Sequence, residues 1–168
     1  MKDIATLNDL MIYYLQSLLD TELRWSEALD RLLVGVWSPD LKALLAKSAD
    51  LSRNHLRILG ETLEDFKNRV PFKKALAVEG VIREMDGVIE MTTDPEIKDA
   101  AILVFHQSIA HYKIAQYGAV SSYAKLFKMP EIASTMHHLL EEEKAADEVL
   151  TELAKTRINP DALSPLLK

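Results

Sequence analysis

The sequence predicts an all-α protein: two long antiparallel helical hairpins joined by a shorter crossover helix. Three observations lead there. Apolar residues recur at alternating steps of three and four along most of the chain, the period of one helical face, and no stretch alternates with the period of two that a half-buried strand needs. Hydrophobic residues make up 48% of the chain, while its five glycines and six prolines are too few to chop it into short elements. The breaks between the apolar stretches are short, and short connections make successive helices antiparallel neighbours.

Five helices follow in order. Thr6 with Asp9 forms a capping box that opens the first, which runs to about Val34 and ends at Gly35. Ser38-Pro39 supplies an N-cap and a first-turn proline for the second, which continues to about Lys67 before Asn68 to Pro71 interrupts it. A shorter third helix spans roughly Lys73 to Met91 and carries the chain across between the hairpins. Asp94-Pro95 caps the fourth, whose stretch from Asp99 to Phe127 would by itself span about 43 Å. Met129-Pro130 divides it from a fifth helix ending near Lys155. Residues 1–156 thus form one helical bundle, and 157–168 a proline-marked C-terminal tail. Two long hairpins with one crossover is the ferritin-like arrangement of a four-helix bundle, and periodicity by itself also allows a plain up-and-down bundle.

Each long helix carries charge where its core stripe should be apolar. On the first, the line Leu7, Met11, Tyr14, Leu18, Glu22, Trp25, Leu29, Leu32, Val36 contains one charge, Glu22, at its middle. On the fourth, Leu103, His106, Ala110, Lys113, Tyr117, Val120, Ala124 places an imidazole and an ammonium between apolar ends. On the fifth, Glu143 and Asp147 interrupt Ile132, Met136, Leu139, Leu150, Ala154. The second reads Leu45, Ala49, Ser52, Leu56, Leu59, Leu63, Phe66, with Asp50 and Arg53 flanking the central serine. Taken alone, His106 fits a hydrogen-bonded core residue and Lys113 a snorkelling side chain. A shared level on four helices is harder to explain that way. Buried carboxylates are costly unless paired or metal-bound, and a layer of them inside a four-helix bundle is how di-iron and di-manganese carboxylate proteins are built.

The usual ligand pattern of such centres includes two ExxH motifs, and this chain has none. His137 and His138 fall off the central line and read as surface residues; His55 sits on the opposite stripe of the second helix, with Leu44, Leu51 and Ile58, and reads as a packed polar residue. His111 lies about 100° round the helix from Ala110, so it is expected to hydrogen-bond between helices, not to bind metal.

The run from Ala75 to Leu153 resembles the YciE/YciF-type ferritin-like family of stress-associated bacterial proteins. The likeness rests on Val78-Glu79-Gly80-Val81-Ile82, Asp99-Ala100-Ala101, His111-Tyr112, Tyr117-Gly118 and the run Leu140 to Asp147, LEEEKAAD, and extends without gaps over about Leu18 to Glu64. It implies a ferritin-like bundle, a metal-binding history and a homodimer. The family pattern has glutamates just before and after the His-Tyr pair, where this chain has Ala110 and Lys113, and Glu-x-x-Glu or Glu-x-x-His in the second helix, where it has Asp50 and Arg53. Glu22, Asp50, His106, Glu143 and Asp147 remain as candidate metal ligands, expected to be relics, with Arg53 and Lys113 as cations standing in for the ions.

Composition narrows the function classes. A net charge of −6 with interspersed signs presents no basic face for nucleic acid. The absence of cysteine excludes disulfides, thiolate metal sites and thiol nucleophiles. No phosphate-cradling glycine loop or Gly-x-Ser-x-Gly elbow occurs. With no signal-peptide pattern and no membrane-length apolar run, a cytoplasmic protein is expected. The leading expectation is a non-enzymatic bundle with a degenerate metal site and no cofactor. The alternative is an iron or manganese carboxylate protein, an oxidase or a consumer of peroxide, with an altered ligand set.

Overall fold

The computed structural model describes residues 4–66 and 74–163. Helix α1 spans Leu7–Leu32, α2 Pro39–Leu63, α3 Leu76–Met91, α4 Pro95–Leu126 and α5 Pro130–Leu153. No strand occurs among the described residues. The antiparallel hairpins α1/α2 and α4/α5 meet along α1/α4 and α2/α5, and α3 lies against α1 and α4. This is the ferritin-like four-helix bundle with its crossover helix.

The caps act where the sequence places them. The Thr6 hydroxyl accepts from the Asp9 N–H at 3.1 Å while the Asp9 carboxylate accepts from the Thr6 N–H at 3.0 Å, closing the box. Ser38 Oγ caps α2 through the Leu41 N–H, and Asp94 Oδ1 caps α4 through Glu96 and Ile97. Lys128 adopts a left-handed conformation (φ 56°) between α4 and α5, and the Met129 N–H reaches back to the Ala124 carbonyl at 2.9 Å, a Schellman closure.

Three boundaries differ from expectation. A short 3-10 turn, Glu64–Phe66, follows α2, and the break expected at Asn68 to Pro71 lies outside the described residues. Helix α3 begins at Leu76 with no side-chain cap of its own; instead the Ala75 N–H donates to buried Asp20 Oδ2 at 2.7 Å, so a tertiary contact sets its start. Beyond α5 the chain stays helical through a π turn, Ala154–Ile158, and a short helix α6, Asn159–Leu163. Ile158, in the expected tail, is buried. No helix among the described residues is long and apolar enough to cross a membrane.

The interior consists of two apolar cores. One gathers Trp25, Leu29, Leu41, Leu45, Ile102 and Leu150 with residues of α3; the other gathers Met11, Leu15, Leu18, Leu59, Val120 and Met136. Along every long helix the switch from one core to the other falls at Glu22, His55, Lys113 and Glu143. A polar layer separates them.

Candidate functional site

That layer is built from one side chain per helix, with a tyrosine beneath. Lys113 on α4 donates from Nζ to Glu143 Oε1 at 2.6 Å and to Glu22 Oε2 at 3.2 Å. Tyr117, one turn further along α4, donates its hydroxyl to Glu22 Oε1 at 2.7 Å. His55 on α2 directs Nδ1 at Glu22 Oε1 and Glu143 Oε1, 3.3 Å from each, and Nε2 at Glu142 Oε2, 3.0 Å away. Glu22, His55 and Tyr117 are fully buried, and Lys113 and Glu143 nearly so. Glu142 stands at the rim, where its other oxygen lies 3.6 Å from exposed His138.

The electrostatics follow from that geometry. Burial alone would push the Glu22 carboxyl up, but the Lys113 charge and hydrogen bonds from His55 and Tyr117 outweigh it and hold Glu22 down at about 2. Burial likewise works against a charged His55, yet hydrogen bonds to Glu143 and Glu22 and their negative charge raise it to about 9. Lys113 is raised for the same reason: Glu143 and Glu22 overcome its desolvation. Tyr117 is pushed well above its ordinary value by burial and by the Glu22 and Glu143 charges, so it stays a hydrogen-bond donor. At neutral pH Glu22 is a carboxylate, Lys113 an ammonium and His55 an imidazolium.

Of the residues singled out from sequence, the structure brings together Glu22, Glu143 and Lys113. Asp50 and Arg53 are corrected: they pair with each other at 2.7 Å on the outer face, and Arg53 also holds Asp30 at 3.1 Å. Each lies one residue, about 100°, beyond the buried positions Ala49 and Ser52, which turns it to solvent. Asp147 turns to exposed His111, pairing with its Nε2 at 3.0 Å across α4 and α5, the interhelical role expected of His111. His106 is buried two turns along α4 from Lys113, its ring 5.2 Å from that of Trp25 and its Nδ1 without a partner. Burial, and then the Lys113 charge, push its imidazole down to about 3, so it is neutral. His137 and His138 are exposed, as expected.

His55 is the packed polar residue that was expected, but it stands on the central line of α2 and not on the opposite stripe. Stepping from Ser52, a helical face continues at either the third or the fourth residue; the fourth gives Leu56 and the third gives His55. The structure buries His55 and leaves Leu56 half-buried. A signal was available: counted back from Leu59 by one turn of four, the line falls on His55. Glu142, which bonds the far side of the ring, was also missed.

The residues do not fit a di-metal centre. Glu22, His55 and Glu143 do offer ligand atoms within 4.8 Å of one another. Two carboxylates and one imidazole are too few for two ions, and the Lys113 ammonium already lies between the carboxylates.

Comparison with known proteins places the fold. Protein YciF of Escherichia coli is 29% identical over 161 residues, covering 95% of this chain and 97% of its own length. The crystal structure of that E. coli stress protein matches with a TM-score of 0.84 over 93% of this chain and 99% of its own. YcfI of Rhodopseudomonas palustris, named as a candidate structural protein, matches at 26% identity with a TM-score of 0.83, over 89% of this chain and 96% of its own. The profile described as "Domain of unknown function (DUF892)" matches residues 6–163. The chain is therefore a YciF-like helical-bundle protein and belongs to the DUF892 family.

Proposed function

We propose that this is a non-enzymatic, ferritin-like protein in which an internal ion-pair network does the structural work of a di-metal centre. The observation that carries the reading is the Lys113 ammonium between two buried carboxylates, 2.6 Å from Glu143 and 3.2 Å from Glu22. A divalent ion between carboxylates neutralises them and ties their helices together. Lys113 and protonated His55 do both, linking α1, α2, α4 and α5. The names of the relatives, a stress protein and a candidate structural protein, agree with a role as a stable scaffold. The homodimer that the resemblance implies belongs to the same reading, although Ala75, Val78 and Met85 of α3 are buried in the chain's own core and do not form its face. Light scattering at micromolar concentration tests it, and a monomer would contradict it.

A competing reading has one observation behind it: the ligand atoms of Glu22, His55 and Glu143 lie close enough to hold a single divalent ion. That ion would have to expel the His55 proton and displace Lys113. Thermal melts with and without Mn(II) or Fe(II) separate the two, because a ligand that binds only the native state raises its stability with concentration. The ion-pair reading predicts an unchanged wild-type melting temperature. A rise that grows with metal concentration in wild type and disappears in Glu22→Gln would support the metal.

A further inference from the structure

Two seams run along the bundle where its hairpins meet. Helix α3 lies over the one between α1 and α4. Across the other, between α2 and α5, no helix is laid among the described residues. That seam holds a half-open groove of about 280 Å³, walled by Leu44, Ser48 and Leu51 of α2 and by Ala145 and Val149 of α5, with Lys47 on its α2 edge. Its apolar wall is not fully used by the chain itself, since Val149 is 53% exposed.

The two edges of the groove carry opposite charge. Lys47 stands on the α2 edge, and Glu148 and Glu152 follow the α5 edge; all three are exposed, and none has an ion-pair partner among the described residues. Their charged neighbours are already engaged, Asp50 with Arg53 and Glu141 with Lys144. Ser48 and Val149 line the same groove, which brings Lys47 within a turn of the height of Glu148 and Glu152. A twofold axis running along the groove keeps every height and lays α2 of one copy over α5 of the other. Lys47 of each copy then meets the partner's Glu148 and Glu152, while Leu44, Leu51 and Val149 of both copies close the groove from water. The face is complementary to itself, as an isologous interface requires. Helices of 25 and 24 residues side by side present a face about 36 Å long and about 20 Å wide, or about 700 Å², close to the ~800 Å² per partner of a stable interface.

We infer that two copies of this chain dock through their α2/α5 faces, about a twofold axis along the groove. The inference rests on the homodimer of the reading above and assigns its face.

The test is sedimentation equilibrium of the full chain at micromolar concentration, where wild type is expected as a dimer. Val149→Arg, at an exposed position where folding is not at stake, should give a monomer; Leu76→Arg, also exposed but on α3, should leave the dimer intact. Lys47→Glu sets like charges against each other and should weaken the dimer about tenfold, and adding Glu148→Lys and Glu152→Lys should restore it. A monomeric wild type would overturn the proposal together with the homodimer and leave the groove to a different partner. A dimer that survives Val149→Arg, or that Leu76→Arg breaks, would overturn the α2/α5 face alone. Failure of the reversed charges to restore the dimer would overturn the placing of α2 over α5.

Discussion

At Lys113 a single side chain answers to two carboxylates, and removing it leaves both buried with only His55 to offset them. Breaking a buried pair by deleting one partner costs about 3–5 kcal/mol, because the orphaned charge cannot return to water. Lys113→Ala should therefore lose that much stability in urea denaturation; a loss under about 1 kcal/mol, the range of an exposed ion pair, would show that the ammonium is not confined there. Glu22, Glu143 and Lys113 were legible in the sequence because each interrupts an otherwise apolar line. His55 was not, since the three-or-four ambiguity after Ser52 is resolved only by packing. Arg53 and Asp50 misled for the opposite reason: charges beside the central serine are one residue out of phase with the buried face.

The helices were legible wherever a local signal ends them. Thr6, Ser38-Pro39, Asp94-Pro95 and Met129-Pro130 mark boundaries that the chain observes. The start of α3 and the continuation past Leu153 were not, because Asp20 holds one and the burial of Ile158 accompanies the other. Asp99 shows how such tertiary contacts join elements. Buried in the first turns of α4, its carboxylate accepts from the Trp37 N–H at 3.1 Å and the Ser38 N–H at 2.6 Å, fastening α4 to the α1–α2 turn. Asp99→Ala strands two backbone donors and should cost about 3 kcal/mol, read as a shift in the urea midpoint at unchanged m-value. Retention of the wild-type midpoint would mean that other groups take over those donors.

Across the whole molecule, two buried histidines shifted in opposite directions shape stability against pH. His55 keeps its proton in the native state up to about 9, whereas the unfolded chain releases it above about 6.5. Its contribution is complete below 6.5 and is lost as pH rises through 9. His106 stays neutral down to about 3, while the unfolded chain takes up a proton below about 6.5, so its contribution is complete above 6.5 and is lost as pH falls. Glu22, held near 2, steepens the acid limb below about 4.5. Stability should peak near pH 6.5, decline by about 3 kcal/mol on the alkaline side as His55 titrates, and fall by roughly twice that on the acid side, where His106 and Glu22 both contribute, as measured by urea denaturation across pH. A profile flat from 6.5 to 9 would mean that His55 is not held as an imidazolium.

The same layer sets the most direct test of whether an ion-pair network takes the place of a di-metal centre. It is elemental analysis of the full-length protein purified without chelators, repeated after incubation with Fe(II) and with Mn(II) and removal of unbound ions. Lys113 and His55 as the counter-charges of Glu22 and Glu143 predict iron and manganese far below one ion per chain in both preparations. Stoichiometric metal that depends on Glu22 and Glu143 would contradict it, and would require the Lys113 ammonium to have left its place between them.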